Sequence, residues 1–109
     1  MPSRLPEPLA AYFAAIDTHN IDAMLASFAD GAIVRDEGQE RRGLAAIREW
    51  MDETVRKYHF KVAVKDVTEA NAQLVVIGRV SGTFPGSPVD LRYFFTLDAD
   101  KITRLEIVP

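Results

Sequence analysis

Apolar residues recur along the first half of the chain at steps of three and four. These steps separate Leu5, Leu9, Tyr12, Phe13 and Ile16. Such spacing places the five side chains on one face of a helix. Pro6 suits the start of this helix, since its missing N–H would be unpaired there anyway. The pattern predicts a first helix that ends near His19.

Two further helices are predicted before residue 60. Asn20 can cap a short second helix whose buried face carries Ile21, Met24, Leu25 and Phe28, and Asp30-Gly31 should end it. A short strand, 32–36, and a polar loop, 37–42, follow. Gly43 opens a third helix, whose apolar side chains are Leu44, Ile47, Trp50, Met51, Val55 and Tyr58.

From His59 the apolar positions alternate instead of recurring at helical steps. Phe60, Val62 and Val64 alternate with polar residues, as on a half-buried strand. Segments 74–80, 89–97 and 102–108 predict three more strands, and turn residues separate all four. Helices early and a strand meander late indicate an α+β fold, in which a curved antiparallel sheet wraps three N-terminal helices into a cone with a cavity at its open end. We expect a single domain over residues 1–109.

Composition narrows the class of protein. The chain is 48% hydrophobic and 27% charged, so it can form a packed core, and it has no cysteine for a disulfide or a thiolate metal site. Its net charge of −3, with no basic cluster, argues against nucleic acid. No apolar run has the roughly 18 residues of a membrane span. Residues 1–6 lack the apolar stretch of a secretory signal, so we expect a cytoplasmic protein.

Asp36 and Tyr12 are the candidate chemical groups. A carboxylate at the mouth of an apolar cavity is partly desolvated, which raises its pKa and its basicity. A phenol facing the same cavity could stabilise an enolate oxygen. Two plainer interpretations stand beside these. Asp36 could cap the turn at Glu37-Gly38, and Tyr12 could be a core tyrosine bonded to a main-chain carbonyl.

Further side chains could form the walls of a ligand pocket or could simply belong to the core. The aliphatic and aromatic candidates are Ile16, Trp50, Phe60, Phe84 and Tyr93. Arg79 and Arg92 lie on strands that are otherwise apolar, and either could face the cavity and bind an anionic group. A one-residue slip in register would exchange the inside and outside positions. His19 and His59 have no third ligand nearby, so no metal site is expected.

The chain resembles the SnoaL-like and ketosteroid-isomerase-like families of the nuclear-transport-factor-2-like superfamily. The resembling segments are Tyr12-Phe13-Ala14-Ala15-Ile16, Asn20-Ile21-Asp22-Ala23-Met24, Phe28-Ala29-Asp30-Gly31-Ala32, Val34-Arg35-Asp36 and the run 43–50. The resemblance implies a cystatin-like roll and a homodimer. It covers nearly the whole chain in element order and specifies the fold better than the reaction.

Within this resemblance, Asp36 falls where the steroid isomerases carry their general base and Tyr12 where they carry the phenol of the oxyanion hole. The third group of that site is a protonated aspartic acid. Its equivalent falls near Arg92 or Tyr93, where no acid stands, and Asp90 is out of register. This departure argues against steroid isomerisation itself.

Two functions remain open from the sequence. The first is a small-molecule-binding protein that could act as a cofactor-independent isomerase, cyclase or related lyase, in which Asp36 takes a proton next to a carbonyl of an apolar ligand. The alternative is a non-catalytic dimerisation or ligand-sensing domain. Val75, Ile77 and Phe94 leave apolar side chains on the second sheet face, which favours a homodimer through that face. An epoxide-hydrolase-like site is a third option, but Asn71 and Gln73 lie too near a turn to position its water.

Overall fold

Three helices pack against one face of a six-stranded sheet in the computed structural model, which describes residues 5–109. The helices are α1 (Glu7–Asp17), α2 (Ile21–Leu25) and α3 (Gly43–Tyr58). The strands are β1 (Phe28–Asp36), β2 (Gln39–Arg42), β3 (Lys61–Ala70), β4 (Gln73–Ser81), β5 (Val89–Asp98) and β6 (Lys101–Val108). Residues 1–4, part of the segment searched for a secretory signal, lie outside the described residues.

The expected α+β cone is confirmed, with helices against a curved sheet that does not close. The strand order is β2-β1-β6-β5-β4-β3. The sheet is mixed rather than wholly antiparallel, because β1 runs parallel to β6 while every other neighbouring pair is antiparallel. Register shifts in the β1–β6, β3–β4 and β5–β6 pairings mark bulges of the kind that bend a sheet.

Two sequence predictions for the segment 28–42 were wrong. Asp30-Gly31 does not end the second helix but lies inside β1, which already begins at Phe28. The polar segment 37–42 is not a loop, since β2 pairs antiparallel with β1. Glu37 and Gly38 both have positive φ, 54° and 75°, and so form the two-residue turn of a hairpin. Polar side chains concealed this strand because β2 is an exposed edge.

Aromatic side chains join α1 to the concave face of the sheet. Phe13 meets Tyr93 edge to face with ring centroids 5.4 Å apart, and Tyr12 meets Phe95 in the same manner at 6.0 Å. Tyr12 also packs against Phe28 at the start of β1. Such edge-to-face pairs each add about 0.5–1.5 kcal/mol beyond the burial of their area. This cluster fixes the depth to which α1 sits in the cone.

Capping fixes where the helices end. The Asn20 side chain accepts a hydrogen bond from the Ala23 N–H at 3.1 Å, as expected for the cap of α2. His59 adopts a left-handed conformation (φ 48°) directly after α3 and turns the chain into β3. The His19 ring lies 2.7 Å from the main-chain oxygen of Phe60, which ties the end of α1 to the start of β3. No helix within residues 5–109 is long and apolar enough to cross a membrane.

Gly78 provides the room that Tyr93 occupies on the concave face. A Cβ at Gly78 would lie 2.7 Å from Val62 Cγ1 and 3.1 Å from Tyr93 Cε1. Gly78→Ala should therefore lower the free energy of unfolding by about 1–3 kcal/mol, the usual penalty of overpacking. Urea denaturation measures this change. Gly31→Ala is the matched control, because a Cβ there would meet nothing within 4 Å and stability should not fall. Equal losses in both variants would contradict the steric explanation.

Candidate functional site

A cavity of about 460 Å³ lies between the concave sheet face, α1 and α3. Its walls are largely apolar and aromatic. The lining residues are Tyr12, Asp36, Glu37, Gly38, Trp50, Thr54, Tyr58, Phe60, Val80, Phe84, Pro85, Val89, Leu91, Tyr93, Ile107, Val108 and Pro109. A volume of this size accommodates a small organic ligand of a few fused rings or a folded chain.

Strand alternation directs Asp36 toward this cavity. Ala32, Val34 and Asp36 lie two residues apart on β1, so they share one face, and the first two are fully buried. Asp36 comes last, where β1 enters its turn, and it remains only partly covered. The residue thus stands at the end of a rigid strand rather than on a loop.

The Asp36 carboxylate accepts a hydrogen bond from helix α3. Trp50 Nε1 donates to Asp36 Oδ2 at 3.0 Å. Partial burial raises the pKa of Asp36 above its ordinary value, and the negative charge of Glu37 adds to this rise. The indole hydrogen bond, a hydrogen bond from the main-chain N–H of Glu37 and the Arg41 charge oppose it. Burial is the largest of these effects, so Asp36 is a stronger base than a solvated aspartate.

Three tyrosines line the same cavity, and two of them, Tyr12 and Tyr93, are deeply buried. The hydroxyl of the less covered Tyr58 donates to Glu37 Oε1 at 3.4 Å. Tyr12 and Tyr93 are 2% and 3% exposed, yet neither hydroxyl has a hydrogen-bond partner among residues 5–109. Every fully enclosed side-chain oxygen or nitrogen in the described residues does have a partner, so both hydroxyls must open into the cavity. The core interpretation of Tyr12, with its hydroxyl bonded to a main-chain carbonyl, does not match this geometry.

Burial raises the pKa of both phenols well above 10, and the negative charge of Asp36 adds to the rise. Each phenol therefore stays protonated over the whole physiological range. It can donate a hydrogen bond but cannot act as a base. The cavity thus combines the partly buried carboxylate of Asp36, which can accept a proton, with two buried hydroxyls that can donate hydrogen bonds.

The structure brings together most of the predicted site residues and leaves Ile16, Arg79 and Arg92 outside the cavity. Trp50, Phe60, Phe84 and Tyr93 line the cavity together with Asp36 and Tyr12. Ile16 is 0% exposed in the core and is not part of the lining. Arg79 lies on the opposite sheet face, where its Nε donates to Asp90 Oδ1 at 3.0 Å.

Strand register decides these positions. Tyr93 pairs with Val76 and Ile107, both buried on the concave face. Its neighbour Arg92 consequently points outward, and its guanidinium donates to the main-chain oxygen of Pro109. The sequence left open which of Arg79, Arg92 and Tyr93 faces the cavity, and among these three only Tyr93 does so.

Several lining residues were not singled out from the sequence. Val89 and Leu91 share a face with Tyr93 by simple alternation, which could have identified them. Tyr58 was expected on the inner face of α3, and the ring of Phe84 packs on it edge to face at 5.7 Å. No sequence pattern indicates that Pro109 lines the cavity, because its position depends on the register of β6.

A smaller polar chamber of about 220 Å³ adjoins the main cavity. Both hollows share Asp36, Glu37, Trp50, Thr54 and Tyr58, and the chamber is completed by Gln39, Arg41, Glu53 and Lys57. Arg41 is held there by Glu53 at 3.2 Å and by Gln39 at 3.1 Å. The carboxylate of Asp36 is therefore bordered by apolar walls on one side and by charged groups on the other.

The chain belongs to the SnoaL-like domain family, whose model matches residues 9–105. This confirms the resemblance drawn from the sequence. None of the curated proteins is similar to the chain at a significant level.

Three solved structures illustrate the relationship. A proposed polyketide cyclase from Sinorhizobium meliloti is 37% identical, with 94% of each chain covered and a TM-score of 0.90. A Catenulispora acidiphila protein with a ketosteroid isomerase-like fold, solved with trimethylamine, is 19% identical over 97% of this chain and 87% of its own, with a TM-score of 0.83. The epoxide hydrolase/cyclase-like enzyme SalBIII, which acts in pyran ring formation in salinomycin, is 21% identical over 94% and 87%, with a TM-score of 0.81. The last two matches establish the fold alone.

Opposite pKa shifts at two aspartates give a test of the site's electrostatics. The raised pKa of Asp36 means that its ionisation weakens folding, a penalty absent below the unfolded pKa of about 3.9 and complete above the folded pKa. Asp36→Asn should therefore be more stable than the wild type at pH 7, and this advantage should disappear as the pH falls to about 3.5. Chemical denaturation at both pH values measures the difference.

Asp90 serves as the control of opposite sign. Its hydrogen bond with Arg79 lowers its pKa, so its contribution to stability is present at pH 7 and is lost as the pH falls through the folded pKa. Asp90→Asn should be slightly less stable than the wild type at pH 7 and equal to it in strong acid. The same sign of change in both variants would contradict the described environment of Asp36.

Proposed function

We propose that this protein binds an apolar carbonyl compound in the cavity and catalyses a proton transfer next to the carbonyl group. The observation that carries the proposal is a partly buried carboxylate and two buried phenol hydroxyls in the lining of one cavity, where neither hydroxyl has a hydrogen-bond partner among residues 5–109. A base and hydrogen-bond donors are the minimum set for this chemistry. No cofactor is required for it.

Each group has one step in the proposed reaction. Asp36 removes a proton from the carbon next to the carbonyl, and the electron pair of that C–H bond moves into the enolate. The hydroxyls of Tyr12 and Tyr93 donate hydrogen bonds to the oxygen, where negative charge develops. For a ligand with a β,γ carbon–carbon double bond the intermediate is a dienolate, and return of the proton from Asp36 to the γ carbon gives the conjugated isomer.

Ring closure uses the same intermediate. The enolate carbon attacks a second carbonyl carbon of the same ligand, a C–C bond forms, and the new alkoxide takes the proton held by Asp36. The 37% identical protein proposed to be a polyketide cyclase supports this variant and a polyketide-like ligand. Tyr93 supplies the second hydrogen bond in this scheme, where the steroid isomerases use an acid.

Proton exchange tests this activity without knowledge of the natural ligand. A set of cyclic ketones and 1,3-diketones is incubated in D₂O, and NMR follows the loss of the α-proton signal. We expect the wild type to accelerate exchange for the ketones that fit the cavity. Asp36→Asn should lower this acceleration by roughly 10²–10⁴, and Tyr12→Phe by roughly 10²–10³.

Ile16→Val is the matched control for the exchange assay, because Ile16 is buried beside the site without lining the cavity. It should keep the exchange rate of the wild type. An Asp36→Asn protein that binds a ketone and exchanges its proton as fast as the wild type would contradict the proposed role of Asp36.

A cytoplasmic location remains a prediction.

We further infer that a second copy of the chain covers the outer sheet face. Val75 pairs directly with Phe94 across β4 and β5, and Ile77 lies two residues further on the same face. All three side chains are only partly covered, although the helices occupy the other face. This face alone would also suffice for a non-catalytic dimerisation domain, which the exchange assay distinguishes from an enzyme.

The oligomeric state can be tested by one charge on this face. Ile77→Glu should convert a dimer into a monomer of 12.2 kDa, because an unpaired carboxylate in an apolar interface is costly. Light scattering coupled to size-exclusion chromatography measures the mass. Ala11→Glu, on the exposed side of α1, should keep the wild-type mass. A wild type that is monomeric at all concentrations would rule out this interface.

A further inference from the structure

The only tryptophan of the chain touches the candidate base directly. Trp50 is 6% exposed on the inner face of α3, and its Nε1 lies 3.0 Å from Asp36 Oδ2. An indole N–H is a donor and never an acceptor, so the direction of this hydrogen bond is unambiguous. No other side chain within residues 5–109 donates to Asp36, and the main-chain N–H of the neighbouring Glu37 is the second donor to the carboxylate.

We propose that Trp50 is the positioning residue of Asp36, with the indole holding Oδ2 so that Oδ1 is the oxygen that takes the substrate proton. This role rests on the proton-transfer function proposed above. A carboxylate at the end of a strand can rotate about its side-chain bonds, and a single fixed oxygen restricts this rotation. Trp50 is thus assigned to orienting the base, in addition to forming a wall of the cavity.

The ring of Trp50 has a second effect that can be separated from the hydrogen bond. It lines both the apolar cavity and the polar chamber, as Asp36 does, so the ring covers part of the carboxylate at the border between the two. The titratable groups around Asp36 are Arg41, Glu53 and Lys57 in the chamber, Tyr12 and Tyr93 in the cavity, and Glu37 and Tyr58, which line both.

The two effects of Trp50 change the pKa of Asp36 in opposite directions. The N–H stabilises the carboxylate and lowers its pKa, while the bulk of the ring excludes water and raises it. Removing only the N–H should therefore raise the pKa of Asp36. Removing the ring should admit water from the chamber and lower it. If Trp50 were only a wall of the cavity, removal of its N–H would leave the pKa of Asp36 unchanged, and only removal of the ring would alter it.

A single tryptophan makes the hydrogen bond directly observable. The ¹⁵N-labelled protein has one indole N–H signal in its NMR spectrum, and a bond to an ionised carboxylate is stronger than one to the neutral acid. We expect the indole proton to move downfield as Asp36 ionises, with the midpoint of the Asp36 carboxyl carbon itself. Asp36→Ala should abolish this titration. An indole signal whose midpoint differs from that of Asp36 would overturn the positioning role.

Two replacements of Trp50 complete the test. Biosynthetic incorporation of 3-benzothienylalanine keeps the fused ring and replaces the N–H by sulfur, and Trp50→Phe shortens the ring as well. The benzothienyl protein should titrate Asp36 at higher pH than the wild type, and its α-proton exchange below that midpoint should fall by roughly tenfold. An unchanged midpoint in the benzothienyl protein would also overturn the positioning role, even if Trp50→Phe does not fold.

The outcomes separate this role from the proposed function. A shared titration of the indole and Asp36 without any ketone exchange would support the positioning of Asp36 and contradict proton transfer. Suppose instead that ketone exchange depends on Asp36 but that the indole chemical shift does not change as Asp36 ionises. This result would support proton transfer and overturn the role of Trp50.

Discussion

The hydrogen bond between Trp50 and Asp36 connects helix α3 to the end of strand β1 at the border of the cavity. An ionised carboxylate placed beside apolar walls would be unfavourable without a partner, since a buried charge must be paired or hydrogen-bonded. Here the partner comes from a helix that also covers the sheet. The packing of α3 against the sheet therefore also supplies the hydrogen bond that stabilises the charged Asp36 at the cavity.

Burial affects the ionisation of Asp36 and of the two buried tyrosines to different extents. Tyr12 and Tyr93 are deeply buried, and burial keeps both neutral. Asp36 is less covered and accepts a hydrogen bond from Trp50. Its pKa is therefore raised by less than full burial would raise it. Groups with separated ionisation ranges in one cavity can act as donor and acceptor at the same pH.

The sequence predicted the fold more fully than the site, for reasons visible in single residues. Helical spacing identified the buried faces of α1 and α3, and the cap at Asn20 was recognised from its residue type. Strand β2 was missed because an exposed polar edge has no apolar alternation. The inside position of Tyr93 and the outside position of Arg79 depend on register between strands, which local patterns do not specify.

The candidate base and the outline of the cavity come from separate parts of the chain. Asp36 and Trp50 stand on a strand and a helix, whereas Phe84 and Pro85 close the wall from the connection between β4 and β5. Connections of this type tolerate substitution and changes of length far better than paired strands do. Substitutions in that connection would reshape the ligand space without displacing the carboxylate, so homologous domains could retain one reaction while diversifying in the molecules that they accept.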